Sequence, residues 1–107
     1  MCVTLIGGMD RAKNDYKRVA SRYDITLKHF ERECQNMKER LGDADAIIIF
    51  TNRISHSARN IALSKGKERR IPVFMCHSCG ISSLKRCLDG LVQTIKRGSD
   101  VVIQEYE

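Results

Sequence analysis

Residues 46–51 read AIIIFT, an apolar run stopped by Asp45 on one side and Thr51 on the other. A strand with one wet face alternates polar and apolar positions. A run that is apolar throughout and rich in β-branched residues predicts a strand buried on both faces, as at the centre of a parallel sheet. Upstream, residues 1–6 (MCVTLI) form a second short apolar run that ends in Gly7-Gly8, and residues 25–30 (ITLKHF) alternate as a third strand. Downstream, the one proline, Pro72, opens residues 71–76 (IPVFMC), where a strand start tolerates its missing N–H. Residues 100–107 (DVVIQEYE) predict a last strand.

Helical spacing fills the intervals. Ala12, Tyr16, Val19, Ala20 and Tyr23 recur on one face of residues 10–23, with Lys and Arg outside. Residues 33–41 predict a short helix with Cys34, Met37 and Leu41 inward and Gly42 as its stop. Ile54, Ala58, Ile61 and Ala62 mark a helix ending near Gly66. Leu84, Cys87, Leu88, Leu91, Val92 and Ile95 make the stripe of another, capped by Ser82 or Ser83 and broken at Gly98. Strand and helix alternate along the whole chain. The expected fold is α/β: one small three-layer, Rossmann-like or flavodoxin-like domain over residues 1–107, with a parallel sheet of four or five strands and helices on both faces.

Composition narrows the classes. Hydrophobic residues at 42% and charged residues at 30% suit a globular protein rather than a disordered one. No apolar run approaches the ~20 residues that span a bilayer, so no membrane partner is expected. The opening MCVTLIGGMDRAK has no basic segment before its apolar stretch. No signal peptide is expected, and the cytoplasm is the expected location. The net charge of +6 favours an anionic partner without choosing one. Nucleic acid is the less favoured choice, because there is no Trp and only three Tyr and three Phe to stack on bases.

An open parallel sheet binds ligands outside the carboxyl ends of its strands. The segments expected there are Gly7-Gly8-Met9, His29-Phe30-Glu31, the stretch from Thr51 to His56, and Cys76-His77-Ser78-Cys79. All three histidines of the chain fall in them. Gly7-Gly8 after the first strand, His29 after the second, Ser55-His56 after the third and Ser82-Ser83 after the fourth together resemble the bacterial domain-of-unknown-function family 2325, over nearly the whole chain. Two features depart from its pattern. His29 is followed by Phe30-Glu31 instead of Asp-Gly, and the Cys76–Cys79 segment lies outside it.

The resemblance implies a Rossmann-like cytoplasmic protein, and some members look like small haem proteins that bind oxygen. On that basis the expectation is a non-covalent haem b site on a homodimer, because C-H-S-C-G is not the C-x-x-C-H of covalent attachment. His56 would be the axial ligand, with His29 as a second candidate. Asn52, Arg53 or Ser55 could orient His56, and Arg53, Lys28 and Arg32 could meet the propionates. Oxygen binding or sensing is expected rather than turnover, since no proton-delivery pair is apparent, and hydrolysis is not expected, since no carboxylate is placed to orient His56.

Two alternatives remain open. Cys76-x-x-Cys79 lies between a strand and a helix, where a helix N-terminus activates a thiolate. It could serve redox chemistry, or bind zinc with His77, His56 or His29 completing the ligand set. Five cysteines are an odd number, so a disulfide framework is not expected. Cys2, Cys34 and Cys87 are expected to be small core residues. Gly7-Gly8 opening a helix could instead hold a phosphate or nucleotide, although G-G-M-D-R matches neither the dinucleotide nor the Walker pattern.

Overall fold

The computed structural model describes residues 1–30, 39, 41, 44–78, 80–96 and 103–106. The strands are β1 (Cys2–Ile6), β2 (Thr26–Phe30), β3 (Ala46–Phe50), β4 (Val73–Cys76) and β5 (Ile103–Tyr106), and the helices are α1 (Lys13–Ser21), α2 (His56–Arg69) and α3 (Ile81–Lys96). The strands form one parallel sheet in the order β2-β1-β3-β4-β5. AIIIF of β3 is central and buried at every position, as its composition predicts. Asp45 locks the register at its start. Its carboxylate accepts from the Cys2 amide at 2.8 Å, and its own amide donates to the Cys2 carbonyl at 2.7 Å.

The pleat sorts the apolar residues onto two faces. Val3, Leu5, Leu27, Ile48, Phe50 and Phe74 pack with Tyr16, Val19 and Ala20 of α1 and with Leu84, Leu88 and Leu91 of α3. Ile6, Ile47, Ile49, Val73 and Met75 pack with Ala58 and Ala62 of α2 and with Leu41. Each fully buried Ile or Leu adds about 1.5–3 kcal/mol relative to exposure, so the two faces supply most of the driving force. The β1–α1–β2 and β4–α3–β5 connections run toward opposite edges while α1 and α3 share a face. The two connections therefore turn with opposite hands, and one of them departs from the usual right-handed crossover.

Several boundaries differ from expectation for physical reasons. Residues 10–23 are not one helix: a 3-10 turn, Asp10–Ala12, precedes α1. The second strand starts at Thr26, so His29 lies within β2 and not in the loop after it. α2 runs through Gly66 and ends where Arg70 turns left-handed at φ 56°. Gly66 is there for packing, since a Cβ on it would stand 2.5 Å from Val73 Cγ2. Ser82 and Ser83 sit inside the first turn of α3, and the Gly80 carbonyl accepts from the Leu84 amide. Ile95 is exposed at the far end of the stripe. Cys2 is half-buried with a free thiol, and Cys87 is not a lone core thiol but is bonded to Cys76. The expected last strand is present as β5. The expected helix over 33–41 lies outside the described residues except for Glu39 and the buried Leu41, and Gly42, Gly98, Arg32 and Cys34 lie outside them as well.

Candidate functional site at the carboxyl rim

Strand order reverses between β1 and β3, because the chain steps one way to β2 and returns past β1 to β3. In this 2-1-3-4-5 order the crevice for ligands opens above the carboxyl ends at that point. The two sides of the crevice are built differently.

On the β1–β2 side, the polar groups are paired with one another. Gly7 and Gly8 take φ of 92° and 86°, a region that suits glycine. The Gly7 amide donates to the Phe30 carbonyl at 2.8 Å. The Gly7 carbonyl lies 2.6 Å from His29 Nε2, and since a carbonyl only accepts, that ring nitrogen carries the proton. The Met9 amide donates to the Tyr16 hydroxyl at 3.3 Å. The Tyr16 ring meets His29 edge-on at 5.5 Å and Phe50 at 5.6 Å. A Cβ on Gly8 would stand 2.9 Å from Phe50 Cδ2 and 3.1 Å from the Tyr16 oxygen. The glycines let the chain lie flat on two aromatic rings. A phosphate would need the Gly7 and Met9 amides, and both already have acceptors. The 3-10 turn also holds the N-terminus of α1 away from the glycines. The arrangement favours a packing role for Gly7-Gly8 over phosphate binding.

On the β3–β4 side, side chains face solvent with capacity left over. The Thr51 hydroxyl donates its single proton to the Cys76 carbonyl at 3.2 Å, so the 3.0 Å contact with His77 Nδ1 is a donation from the ring. His77 is exposed, and its Nε2 keeps a lone pair. Ser55 caps α2, accepting from the Ala58 amide at 3.2 Å. That bond takes one lone pair of the Ser55 oxygen, and its role there is the helix cap. His56 is the first residue of α2 and is exposed, as is Asn52 in the short turn before it. The side chain of Arg53 lies outside the described residues.

The histidines therefore do not converge. His29 sits on the edge strand β2, packed on Tyr16 on the α1 face, whereas His56 opens α2 on the opposite face. His77 follows β4 beyond β1 and β3. Among the described residues, no three His, Cys, Asp or Glu side chains gather to hold a metal ion, which leaves the zinc alternative without a ligand set there. Cys76 pairs with Cys87 and not with Cys79, which lies outside the described residues. Lys28 is exposed on β2. Met9, Phe30, Ile54 and Ile81 are half-buried, each just beyond or at the carboxyl end of a different strand, with Phe30 and Ile54 packed on the α2 face and Ile81 on the α1 face.

Sequence reasoning did not single out Thr51, which proves to be the hub between β3 and β4. Its position as the first polar residue after AIIIF was the available signal. It also treated Tyr16 as core only, although its hydroxyl holds the glycine turn. Among the described residues, no helix is long and apolar enough to cross a membrane.

Comparison with curated proteins and with solved structures gives no match. Comparison with protein families gives one, described as an uncharacterized protein conserved in bacteria (DUF2325), over residues 2–91. That span takes in the glycine turn, His29, Thr51, His56, His77 and both bonded cysteines, so the chain belongs to the DUF2325 family of bacterial proteins.

Proposed function

We propose that this protein is a binding or sensing module for a haem b held non-covalently at the carboxyl rim, with a histidine imidazole as iron ligand. The observation that carries the proposal is the Thr51–His77 pair. Iron-ligating histidines donate their other ring N–H to a nearby acceptor, which sets the ring's orientation and tautomer. His77 Nδ1 donates to Thr51 at 3.0 Å, and Thr51 is anchored on the Cys76 carbonyl. Among the described residues Nε2, the nitrogen that haem proteins use, has no partner, and the side chain is exposed. This moves the ligand assignment from His56, which has no orienting partner among the described residues, to His77.

The surroundings suit the group. The half-buried Met9 after β1 and Ile81 at the start of α3 offer apolar contact for a macrocycle, and Lys28, exposed on β2, offers a cation for a carboxylate. A second copy of the chain would close the other side of the ring, so a cytoplasmic homodimer is part of the proposal. When bound, haem supplies a redox-active iron with a position for a diatomic gas. The chain's own residues hold and orient, and binding or sensing is the reading proposed.

The test is titration of the purified chain with haemin, with and without dithionite. A saturable, stoichiometric Soret band that moves when oxygen meets the reduced form is expected. That band should be lost in His77→Ala and kept in His29→Gln. A spectrum that stays that of free haemin overturns the proposal, and a band lost only in His56→Ala returns the ligand to His56.

A further inference from the structure

Cys76 is the last residue of β4 and Cys87 lies in the second turn of α3; both are buried, at 1% and 0% exposure, and their sulfurs are bonded. We infer that this pair is a reversible thiol–disulfide site whose state controls the loop carrying His77.

Three observations support reversibility. First, each form has its partners in place. In the disulfide the two sulfurs satisfy each other. In the dithiol, the Cys76 S–H has the Ser83 carbonyl 3.9 Å away, within reach of a sulfur hydrogen bond, and Cys87 sits among Leu84, Leu88 and Leu91, where a reduced thiol packs as a small apolar group. Second, the Cα atoms stand 7.4 Å apart, wider than the roughly 4.4–6.8 Å that bridged cysteines usually span. Making or breaking the bond therefore shifts the end of β4 against α3. Third, the residues directly after Cys76, His77 and Ser78, are exposed. The Cys76 carbonyl is also the acceptor that anchors Thr51, which in turn orients His77. A shift at Cys76 reaches the imidazole through two hydrogen bonds.

The chemistry balances with a hydroperoxide as oxidant. Two thiols lose two protons and two electrons as the S–S bond forms. The peroxide O–O bond breaks and takes them up, giving one alcohol and one water. A cellular dithiol reverses the step by exchange, becoming a disulfide itself. The glutathione and thioredoxin systems of the cytoplasm keep such pairs reduced at rest, so the bond would form on oxidant challenge.

The bond and its effect on His77 stand apart from the haem proposal; only control of the ligand rests on it. The test uses the full chain without haem, treated with hydrogen peroxide or with dithiothreitol, then denatured, alkylated and digested. Oxidation should give one linked Cys76–Cys87 peptide pair, two hydrogens lighter than the separate peptides, restored completely by dithiothreitol. The His77 ring resonances should shift between the two forms while far-ultraviolet dichroism stays unchanged. Cys87→Ala should abolish the link and the shift; if that variant does not fold, the wild-type peptide map and resonances decide. A link from Cys76 to Cys79 instead, thiols that remain fully alkylatable after peroxide, or His77 resonances identical in both forms would overturn the inference. Reversible linkage without haemin binding overturns only the haem proposal. Haemin binding with unpaired thiols overturns only this one.

Discussion

The β1–β2 half of the rim and its β3–β4 half use the same kinds of residue to opposite ends. Each has a histidine, a hydroxyl and a short turn after a strand. On the β1–β2 half, His29, Tyr16 and the two glycines are turned on one another, with His29 on the Gly7 carbonyl and Tyr16 under the Met9 amide. On the β3–β4 half, one bond orients His77 and leaves the other ring nitrogen facing solvent. Each imidazole spends its ring N–H on one orienting bond and keeps one lone pair. Position at the rim is shared; exposure separates the two, because His29 is half-buried against Tyr16 and His77 stands in solvent.

The contrast can be broken at several points. The largest stability effect is expected at Gly8→Ala. A left-handed backbone conformation and a Cβ 2.9 Å from Phe50 together cost about 3 kcal/mol. That lowers the melting temperature by roughly 12 °C or more, read by thermal denaturation. A melting temperature within a degree or two of wild type would mean that the glycine turn is not the scaffold described here.

The largest binding effect is expected at His77→Ala, which should abolish saturable haemin binding and change stability by no more than about 0.5 kcal/mol, because the side chain is exposed. Thr51→Val keeps the shape but removes the orienting acceptor, and should weaken haemin binding about 10–100-fold. Equal loss on mutating His29 would erase the distinction between the two halves.

Tyr16→Phe removes the acceptor of the Met9 amide. It should cost about 1 kcal/mol by chemical denaturation and leave ligand binding intact.

The smallest effect lies away from the rim. Tyr23 donates to Asp89 Oδ1 at 2.8 Å, tying the end of α1 to α3. That hydrogen bond, then burial, then the charge of Asp89 raise the phenol above its usual 10.0. The folded state holds the proton more tightly than the unfolded chain does. The contribution is therefore present below about pH 10 and lost as pH rises through the folded value. Tyr23→Phe should flatten this alkaline decline in stability, measured by denaturant melts across pH 8–11.

Much of the fold was legible in the sequence because it rests on local periodicity. AIIIF announced a central strand, and the alternation with helical stripes announced a parallel sheet. The boundaries that slipped did so where a contact distant in sequence decided them. Gly66 reads as a helix stop, but its closeness to Val73 carries α2 past it. Cys87 reads as a core residue, and nothing local shows that it lies across from Cys76. The sequence offered the tail as a strand but not its pairing with β4, nor the placement of α3 on the face of α1, both of which are contacts distant in sequence.

By itself the sequence determined the fold class and which segments end at the carboxyl rim. Those follow from hydrophobic spacing and from where strands end, which are properties of neighbours along the chain. The tertiary structure alone decided how the side chains there are partnered. Which ring nitrogen of His29 and of His77 carries the proton, and which keeps the lone pair, depends on the Gly7 carbonyl and on Thr51, 22 and 26 residues away in the chain. Hydrogen-bond capacity is a property of the assembled neighbourhood, and no spacing rule along the chain encodes it.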